Sequence, residues 1–316
     1  MRNSWERHRN DRSTRLHVIV VEGDGRLLFV MPLVIKRDWS GLRILRWLDS
    51  KTPLYNDVLV DPAADFPTLA AMVGEHLASI PFVRALKVGF VRQDSALARL
   101  LQGMGARSEP QTKSYELDLR KYSGWEDFIG SKSSSSRQSY RRMHRRLADR
   151  GRVEIERVGD PARLESEIAW IFATKRAWVR RRFGKDNWLS PPATEAWFRS
   201  AAVRLSGDGR AFVLRMSCNG SRVAATLVFR HGEALFASKI AYDPGWAKCS
   251  PGWLLNLELV RWGFGEGIHV VDFMLGEDPW KEGFSNVVCD VRKYRLALRL
   301  GFFRLPGLSD GRRGWR

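Results

Sequence analysis

The chain has 316 residues, 44% of them apolar, so it can bury two cores of ordinary size and we expect two domains. Its formal net charge is +18, from 53 basic and 35 acidic residues, which favours polyanions, anionic headgroups or phosphorylated cofactors as partners without choosing among them. Cys218, Cys249 and Cys289 are too few and too scattered for a disulfide framework or a four-ligand zinc site, which fits a reducing compartment.

The N-terminal segment is charged and lacks the apolar stretch of a signal peptide. The longest apolar run, residues 27–35, is well short of the roughly 20 residues needed to cross a bilayer. We therefore expect a cytoplasmic protein without a membrane span. The six histidines are scattered and support neither a metal site nor a catalytic triad.

Apolar patterning predicts the strands of the first half, at residues 16–21, 26–35, 42–48, 85–90 and 113–119. The first two flank a Gly-Asp-Gly turn, which predicts a hairpin with the third strand beside it. Helices are predicted over residues 67–79 and 95–102. The last strand is predicted to close the first domain, and a linker follows at residues 120–124.

In the second half, Asp160 and Pro161 predict a helix start, because aspartate caps helices and proline suits the first helical position. This helix is predicted to run to about Phe183, with Gly184 ending it. Leu164, Ile168, Ile171, Phe172 and Trp178 form its predicted apolar stripe.

The predicted elements that follow are a helix at 194–205, strands at 211–217, 222–229 and 234–242, a helix at 253–264, a strand at 270–275 and at least one more strand within 287–298. Asn-Gly and His-Gly turns between the first three strands predict an antiparallel meander.

A predicted anion site lies where the helix after the meander begins. Ser250, Pro251 and Gly252 stand just before the helix that starts near Trp253. The first N–H groups of a helix have no partner within it, and the positive end of its dipole favours an anion such as a pyrophosphate. Asp272 follows on the next strand.

This succession of strand, Ser-Pro-Gly loop, helix, strand and Trp-Lys loop resembles the second half of the GNAT acyltransferase superfamily. The nearest resemblance is to the cellulose-biosynthesis-type acetyltransferases, which are related to the Fem-type peptidoglycan transferases. The residues that carry it are Tyr242, Asp243, Ser250, Pro251, Gly252, Gly267, Asp272, Phe273, Gly276 and 281–284. Upstream, Ser131, Lys132 and the arginine-rich run 137–147 are similar to the family's entry to this domain. Relatives usually carry tyrosine at position 280, where this chain has Trp280. A role for a phenol hydroxyl at this position is therefore excluded.

The resemblance implies an α+β fold of tandem GNAT-like domains, with mixed, mostly antiparallel central sheets flanked by helices. We assign residues 1–120 to a degenerate or truncated N-terminal GNAT-like domain, 121–305 to the C-terminal acyltransferase domain and 306–316 to a basic tail. Because the family's first domain usually opens with a further helix and strand, we expect the N-terminus to be truncated or its start codon to be misassigned. The first half's equivalent loop, residues 60–66, has two acids and no glycine, so only the second half is expected to bind cofactor.

The resemblance also implies acetyl-CoA, or another acyl-CoA, as acyl donor, with no metal. Its pantetheine arm is expected between strands 234–242 and 270–275, which should separate there, and residues 248–254 should hold the pyrophosphate. The cofactor-binding residues implied are Ile240, Ala241, Lys248, Cys249, Ser250, Gly252, Trp253 and Leu254.

Asp272 is the first candidate catalytic residue, either as general base or as the group that orients the acceptor. The alternative is a structural aspartate that bonds to the loop at residues 276–280. Lys281 is the second candidate, because its charge suits a developing oxyanion or a substrate phosphate. Its alternative role is a salt bridge with Asp272 or Glu282.

Tyr242 is the third candidate, as proton donor to the departing thiolate or as a packing residue at a strand end. Glu277 and Asp278 are reserve bases. Cys249 lies beside the predicted anion site, but no histidine is close in sequence, so covalent catalysis is not favoured.

Two basic clusters stand out. Arg137, Arg141 and Arg145 share one face of a predicted helix, either as an anchor for an anionic acceptor such as a lipid-linked sugar phosphate or as a solvated face. The second cluster comprises Lys175, Arg176, Arg180, Arg181, Arg182 and Lys185. It ends a predicted helix, where cations complement the dipole, and this explanation suffices without a ligand.

Three functions remain open. The first is an N- or O-acetyltransferase acting on a sugar or on a polysaccharide or cell-envelope precursor. The second is a Fem-like transferase that uses aminoacyl-tRNA, with the arginine clusters contacting the RNA. The third is a non-catalytic binder of nucleic acid or anionic membrane on a transferase scaffold. Specific DNA binding is not expected.

Overall fold

One mixed sheet extends through both halves of the chain in the computed structural model, which describes residues 2–6, 11, 13–38, 40–49, 52, 54–187 and 189–298. The strands are β1 (Thr14–Gly23), β2 (Arg26–Arg37), β3 (Arg43–Trp47), β4 (Leu59–Val60), β5 (Val83–Arg92), β6 (Arg107–Asp118), β7 (Val153–Val158), β8 (Ala211–Cys218), β9 (Ser221–His231), β10 (Ala234–Tyr242), β11 (Val270–Leu275) and β12 (Val287–Ala297). Their order in the sheet is β1-β2-β3-β5-β12-β6-β11-β10-β9-β8-β7, and β4 pairs with β2.

The helices flank this sheet. They are α1 (Arg2–Glu6), α2 (Phe66–Ser79), α3 (Ala96–Gly103), α4 (Trp125–Gly130), α5 (Ser134–Ala148), α6 (Pro161–Phe183), α7 (Pro192–Ser206), α8 (Pro251–Gly265) and α9 (Pro279–Phe284). Within the ranges described, none of them is long and apolar enough to span a membrane. The predicted architecture, a mostly antiparallel sheet flanked by helices, is confirmed.

The two halves repeat one succession of elements. In the first half, β1 to β3 are antiparallel neighbours, and α2 then crosses to β5, which is parallel to β3. In the second half, β8 to β10 are antiparallel neighbours, and α8 crosses to β11, which is parallel to β10. Both the predicted hairpin and the predicted meander are therefore present.

The last strand of each half lies against the other half. β6 is the last strand of the first half but pairs with β11 and β12, while β12, the last strand of the second half, pairs with β5 and β6. The prediction that residues 113–119 close the first half is therefore wrong, because the place beside β5 is taken by β12. The domain boundary at residue 120 stays a prediction, and the predicted tail at 306–316 lies outside the described residues.

The helix α6 has the start and end that the sequence predicts. The side chain of Asp160 accepts a hydrogen bond of 2.9 Å from the N–H of Arg163, and Gly184 ends the helix with a left-handed φ of 64°. The buried members of its apolar stripe are Leu164, Ile168, Ile171 and Phe172. Trp178, predicted as a fifth member, is 42% exposed and thus lies outside the core.

Apolar helix faces cover both sides of the sheet in the second half. Leu254, Leu255 and Val260 of α8 pack on one face, whereas Phe172 of α6 and Phe198 of α7 pack on the other. In the first half, α2 and α3 pack together on the sheet. The second half is therefore a sandwich in which β8, β9 and β10 are covered on both sides.

Burial on β12 allows a test of its role in joining the halves. Val291 is fully buried, whereas Val288, three residues earlier on the same strand, is 53% exposed. We expect Val291→Asp to lower the free energy of unfolding by about 3 kcal/mol or more, since it buries an unpaired carboxylate. Val288→Asp is the matched control and should cost about 1 kcal/mol or less. Urea unfolding measures both, and equal losses would contradict the pairing of β12.

Candidate active site at the gap between two parallel strands

The strands β10 and β11 separate soon after they begin. Their parallel pairing joins Ala234 to Val270, Leu235 to Val271 and Phe236 to Asp272, and it stops there. Beyond this point β10 has an irregularity on its β9 side, between Ala237 and Lys239, and β11 has one on its β6 side. The predicted separation of the two strands is confirmed.

A cavity of about 830 Å³ occupies this gap. The predicted site residues that line it are Ile240, Ala241, Tyr242, Ser250, Gly252, Trp253 and Lys281. Phe90, Gln111 and Thr112 add lining from β5 and β6. The cavity therefore lies in the second half but meets the first half at one side.

The start of α8 forms one wall of the cavity. Ser250 has a left-handed φ of 47°, and its side chain does not cap the helix. The N–H groups of Trp253 and Leu254 each donate 3.1 Å to the carbonyl of Ser250. Pro251 has no N–H, and that of Gly252 meets no acceptor in the part of the chain described. The hydroxyl of Ser250 and the N–H of Gly252 are thus available to a ligand.

Gly252 is required for the close approach of α8 to β10. A Cβ atom at this position would lie 3.3 Å from Cδ1 of Tyr242 and 3.6 Å from Cδ1 of Ile240. The first distance is tighter than ordinary van der Waals contact. Any larger side chain would therefore push against the wall of the cavity.

Three predicted cofactor-binding residues are not brought to the cavity. Leu254 is fully buried in the core, and Cys249 is 3% exposed with its Sγ 3.7 Å from the carbonyl of Arg146. Lys248 is exposed, and its carbonyl accepts a bond of 3.3 Å from Arg146. The stretch 248–249 thus packs against α5.

Asp272 lies outside the cavity lining, and its exposed fraction is 1%. Its Oδ1 accepts hydrogen bonds from the hydroxyl of Tyr55 at 3.0 Å and from the N–H of Met274 at 2.6 Å. Its Oδ2 is 3.6 Å from Nη1 of Arg92. Tyr55 and Arg92 belong to the first half, so this carboxyl links the halves and holds the end of β11 at Met274. The structure favours a structural role, through these contacts and not through the predicted bond to the loop at residues 276–280, and a role as base stays a prediction.

Burial raises the pKa of Asp272 to about 6, although the N–H of Met274, the hydroxyl of Tyr55 and the charge of Arg92 all act to lower it. Arg92 is itself shared, because it also pairs with Glu116 and with Asp94. The carboxyl is therefore stabilised by partners that do not fully compensate for its loss of water.

Lys281 is buried, with 4% of its surface exposed, and its ammonium lies in the cavity. Nζ donates 2.8 Å to the carbonyl of Leu275 and lies 3.4 Å from Oδ2 of Asp278. Neither predicted salt-bridge partner is in contact: Asp278 takes that place, and Glu282 instead accepts from Tyr115. Burial lowers the pKa of Lys281, while the carboxylates of Asp278 and Asp272 act to raise it.

Two more lysines line the cavity, and sequence reasoning missed both. Lys175 lies within α6 rather than at its end, and Nζ donates 2.9 Å to the carbonyl of Ile240. Lys239 lies at the irregularity of β10, and Nζ donates 2.9 Å to the carbonyl of Ser238. The helix dipole therefore does not account for Lys175. A lysine inside the apolar run of β10 was the signal that could have found Lys239.

Asn256 is a third missed residue. It lines the cavity from α8, is 5% exposed, and its Oδ1 has no hydrogen-bond partner among the described residues. A buried amide oxygen without a partner costs free energy, so it indicates a position where a ligand supplies the bond. The signal in the sequence was a single asparagine in an otherwise apolar stretch of helix.

The arginines predicted to bind substrate, Arg137, Arg141 and Arg145, lie elsewhere. They line a separate groove of about 410 Å³ on α5, together with Ser134, Gln138 and Arg142. Their shared helix face is confirmed. One of them, Arg137, donates to the carbonyls of Gly130 and Lys132. A role in binding substrate stays a prediction.

Comparison with known proteins fits this geometry. Residues 134–282, slightly less than half of the chain, match the acetyltransferase (GNAT) domain family. A comparison with curated protein sequences gives no match. The sheet, the gap and the matched segment define an acyltransferase. More specifically, residues 134–282 are similar to the acetyltransferase domain of the GNAT superfamily.

Similar folds occur among solved structures. FemX has 12% identity and a TM-score of 0.63, over 93% of this chain and 91% of that one. The C-terminal domain of a putative lysylphosphatidylglycerol synthetase from Agrobacterium fabrum has 11% identity and a TM-score of 0.60, over 89% and 83%. L-PGS from Bacillus licheniformis has 11% identity and a TM-score of 0.57, over 89% and 83%. At such low identity the likeness shows a shared fold.

The pKa of Asp272 predicts a pH dependence of stability. The folded-state value of about 6 exceeds the ordinary 3.8, so between these values the folded protein binds a proton that the unfolded chain does not. The resulting stabilisation of the folded state is complete below the ordinary pKa of 3.8 and is lost as pH rises through the folded-state pKa of about 6. From pH 5 to pH 7 we expect wild type to lose about 1 kcal/mol relative to Asp272→Asn, measured by urea unfolding. The exposed Glu126→Gln is the control and should show the same pH dependence as wild type. If Asp272→Asn also showed the wild-type pH dependence, the raised pKa of Asp272 would be contradicted.

Proposed function

We propose that this chain is an acyl-CoA-dependent N- or O-acetyltransferase that acts on a sugar or on a polysaccharide or cell-envelope precursor. The observation that carries the proposal is the cavity between β10 and β11, which is open beside the start of α8. The GNAT domain match supports the reaction class. The sugar acceptor and a cytoplasmic location rest on the sequence resemblance to the cellulose-biosynthesis-type branch.

The residues present fit an acyl-CoA. Ser250 and Gly252 would hold its phosphates, because the hydroxyl and the N–H described above have no partner in the described chain. The unpartnered amide oxygen of Asn256 would accept a hydrogen bond from an amide N–H of the pantetheine arm. When bound, acetyl-CoA supplies a thioester whose acetyl group passes to an acceptor nitrogen or oxygen as the thiol leaves.

The chain's own side chains have distinct proposed roles. Lys281 places a positive charge in the cavity, where it would stabilise a developing oxyanion. Tyr242 lines the mouth of the cavity and would donate a proton to the departing thiolate. Asp272 would position the end of β11 at Met274 and would not contact the acceptor. Of the two reserve bases, only Asp278 lines the cavity.

A second candidate is a Fem-like transferase that takes its aminoacyl group from charged tRNA. The observation that favours it is the arginine groove of α5, which lies outside the cavity and carries Arg141, Arg142 and Arg145. Among the described residues, no acidic side chain lines this groove. A site for a phosphate backbone requires a surface of this kind, because negative side chains would repel it. The similarity to FemX is compatible with this candidate but shows only the fold.

Thermal-shift titration separates the two candidates, since a ligand that binds only the folded state raises the melting temperature. We expect acetyl-CoA to stabilise the protein and bulk tRNA to have no effect. Gly252→Val should weaken acetyl-CoA binding at least tenfold, about 1.4 kcal/mol, by filling the wall of the cavity. Gly265→Val is the matched control, because a Cβ there meets nothing within 4 Å. Stabilisation by tRNA alone would reverse the ranking.

Asn256→Leu should change stability and ligand binding in opposite directions. Removing a buried oxygen without a partner should raise the free energy of unfolding by about 1 kcal/mol. The same substitution should weaken acetyl-CoA binding, because the variant cannot supply the amide. Urea unfolding and calorimetric titration measure the two effects. A more stable variant that keeps full affinity would exclude Asn256 from the cofactor site.

A further inference from the structure

The cavity has two chemically different sides. Ser250, Gly252 and Asn256 approach it from the α8 face of the sheet. Lys175 and Lys239 approach it from the opposite face, because the first lies on α6 and the ammonium of the second lies 4.7 Å from the ring centre of Phe198 on α7. The side proposed to hold the cofactor is therefore distinct from the side that carries the two lysines.

Positive charge dominates this cavity. The charged side chains among its described lining residues are Lys175, Arg181, Lys239, Asp278 and Lys281. Only Asp278 is acidic, and it lies 3.4 Å from Lys281. Tyr242 is the remaining titratable group in the lining. Apart from Asp278, the charged lining residues that the structure describes are therefore all cations.

These cations destabilise one another. Burial lowers the pKa of Lys239 to about 7, and the charges of Lys175 and Lys281 add to this effect. Burial likewise lowers the pKa of Lys175 to about 8, with Lys281 acting in the same direction and Asp278 opposing it. A bound anion would offset both the lost hydration and the mutual repulsion, whereas a neutral acceptor would leave them uncompensated.

The hydrogen bonds of Lys175 leave room for such an anion. Its ammonium has three donors, and one of them bonds to the carbonyl of Ile240 at 2.9 Å. Lys239 donates to the carbonyl of Ser238 at 2.9 Å, and its ammonium lies 3.5 Å from the hydroxyl of the same serine. Both amines are thus oriented by the main chain of β10, next to the place where acyl transfer is proposed.

We propose that the acyl acceptor is an anion, and that Lys175 and Lys239 bind its carboxylate or phosphate group on the α6 side of the gap. This inference rests on the proposed transferase function and narrows its acceptor to an acidic class. The acceptor's amine or hydroxyl then reaches the gap from the side opposite Ser250 and Gly252. Anion binding requires charged amines, so acceptor affinity should fall as pH rises through the pKa values of Lys239 and Lys175.

The test uses matched acceptors with and without an acidic group. Glucosamine is compared with glucosamine 6-phosphate and with muramic acid, and thiol release from acetyl-CoA gives kcat and KM. We expect the acidic acceptors to be preferred at least tenfold in kcat/KM. In Lys175→Met and Lys239→Met the preference should disappear through a higher KM for the acidic acceptors. The control is Lys121→Met, an exposed lysine near the end of β6 that pairs with the start of β11, far from the gap.

Three outcomes would overturn the inference. One is an equal preference for neutral and acidic acceptors in wild type. The other is a loss confined to kcat with acceptor KM unchanged in Lys239→Met, which would make this amine a general base rather than an anion site. If the acidic preference persists in both lysine variants, the anion is bound elsewhere and the inference also fails.

A binding measurement keeps this test separate from that of the transferase function. The side-chain ¹³Cε resonances of Lys175 and Lys239 are titrated with pH in the full chain, with and without glucuronate or inorganic phosphate. We expect the pKa of both amines to rise by about one unit with the anion present, equal to tenfold tighter binding to the charged form. Unchanged pKa values of the two lysines would exclude the anion site even if acetyl-CoA binds. A failure of acetyl-CoA to bind would leave this result intact and would count only against the transferase function.

Discussion

The separation of β10 from β11 is the constraint on which the site depends. Two adjacent parallel strands ordinarily satisfy each other's main-chain groups, and each group left unpaired in the interior costs free energy. Here lysine ammonium groups bond to carbonyls along the gap: Lys175 to Ile240, Lys239 to Ser238 and Lys281 to Leu275. The lysines therefore supply hydrogen bonds to carbonyls along an opening that the main chain leaves unpaired, and two of them, Lys175 and Lys239, are the groups that we propose bind an acidic acceptor.

A second network supports the far side of the gap. Asp272 accepts from Tyr55 and Met274, and Arg92 connects it to Glu116 and Asp94. Because Tyr55 and Arg92 come from the first half, the geometry at the end of β11 depends on residues more than 150 positions away in sequence. The first half thus contributes to the site through support, even though the loop at Ser250 and Gly252 belongs to the second half.

Local patterns in the sequence predicted most elements, including α6 with its cap and the meander of β8 to β10. The short elements α4, β7 and α9 escaped prediction, since few residues carry their pattern. Strand order could not be predicted, because alternation shows that β6 is half-buried but does not identify its neighbours. The loop at Ser250 and Gly252 was predictable from its residue types. Lys175 was not, because only tertiary packing brings the middle of α6 to the gap.

The position of β12 between β5 and β6 has a consequence for biosynthesis. Residues 287–297 must be inserted between β5 and β6, which the ribosome produced roughly 200 residues earlier. Until then β5 exposes an unsatisfied edge, which is a hazard for intermolecular pairing. The central sheet therefore stays incomplete until β12 has been synthesised, and chaperone protection of the β5 edge would be most valuable up to that point.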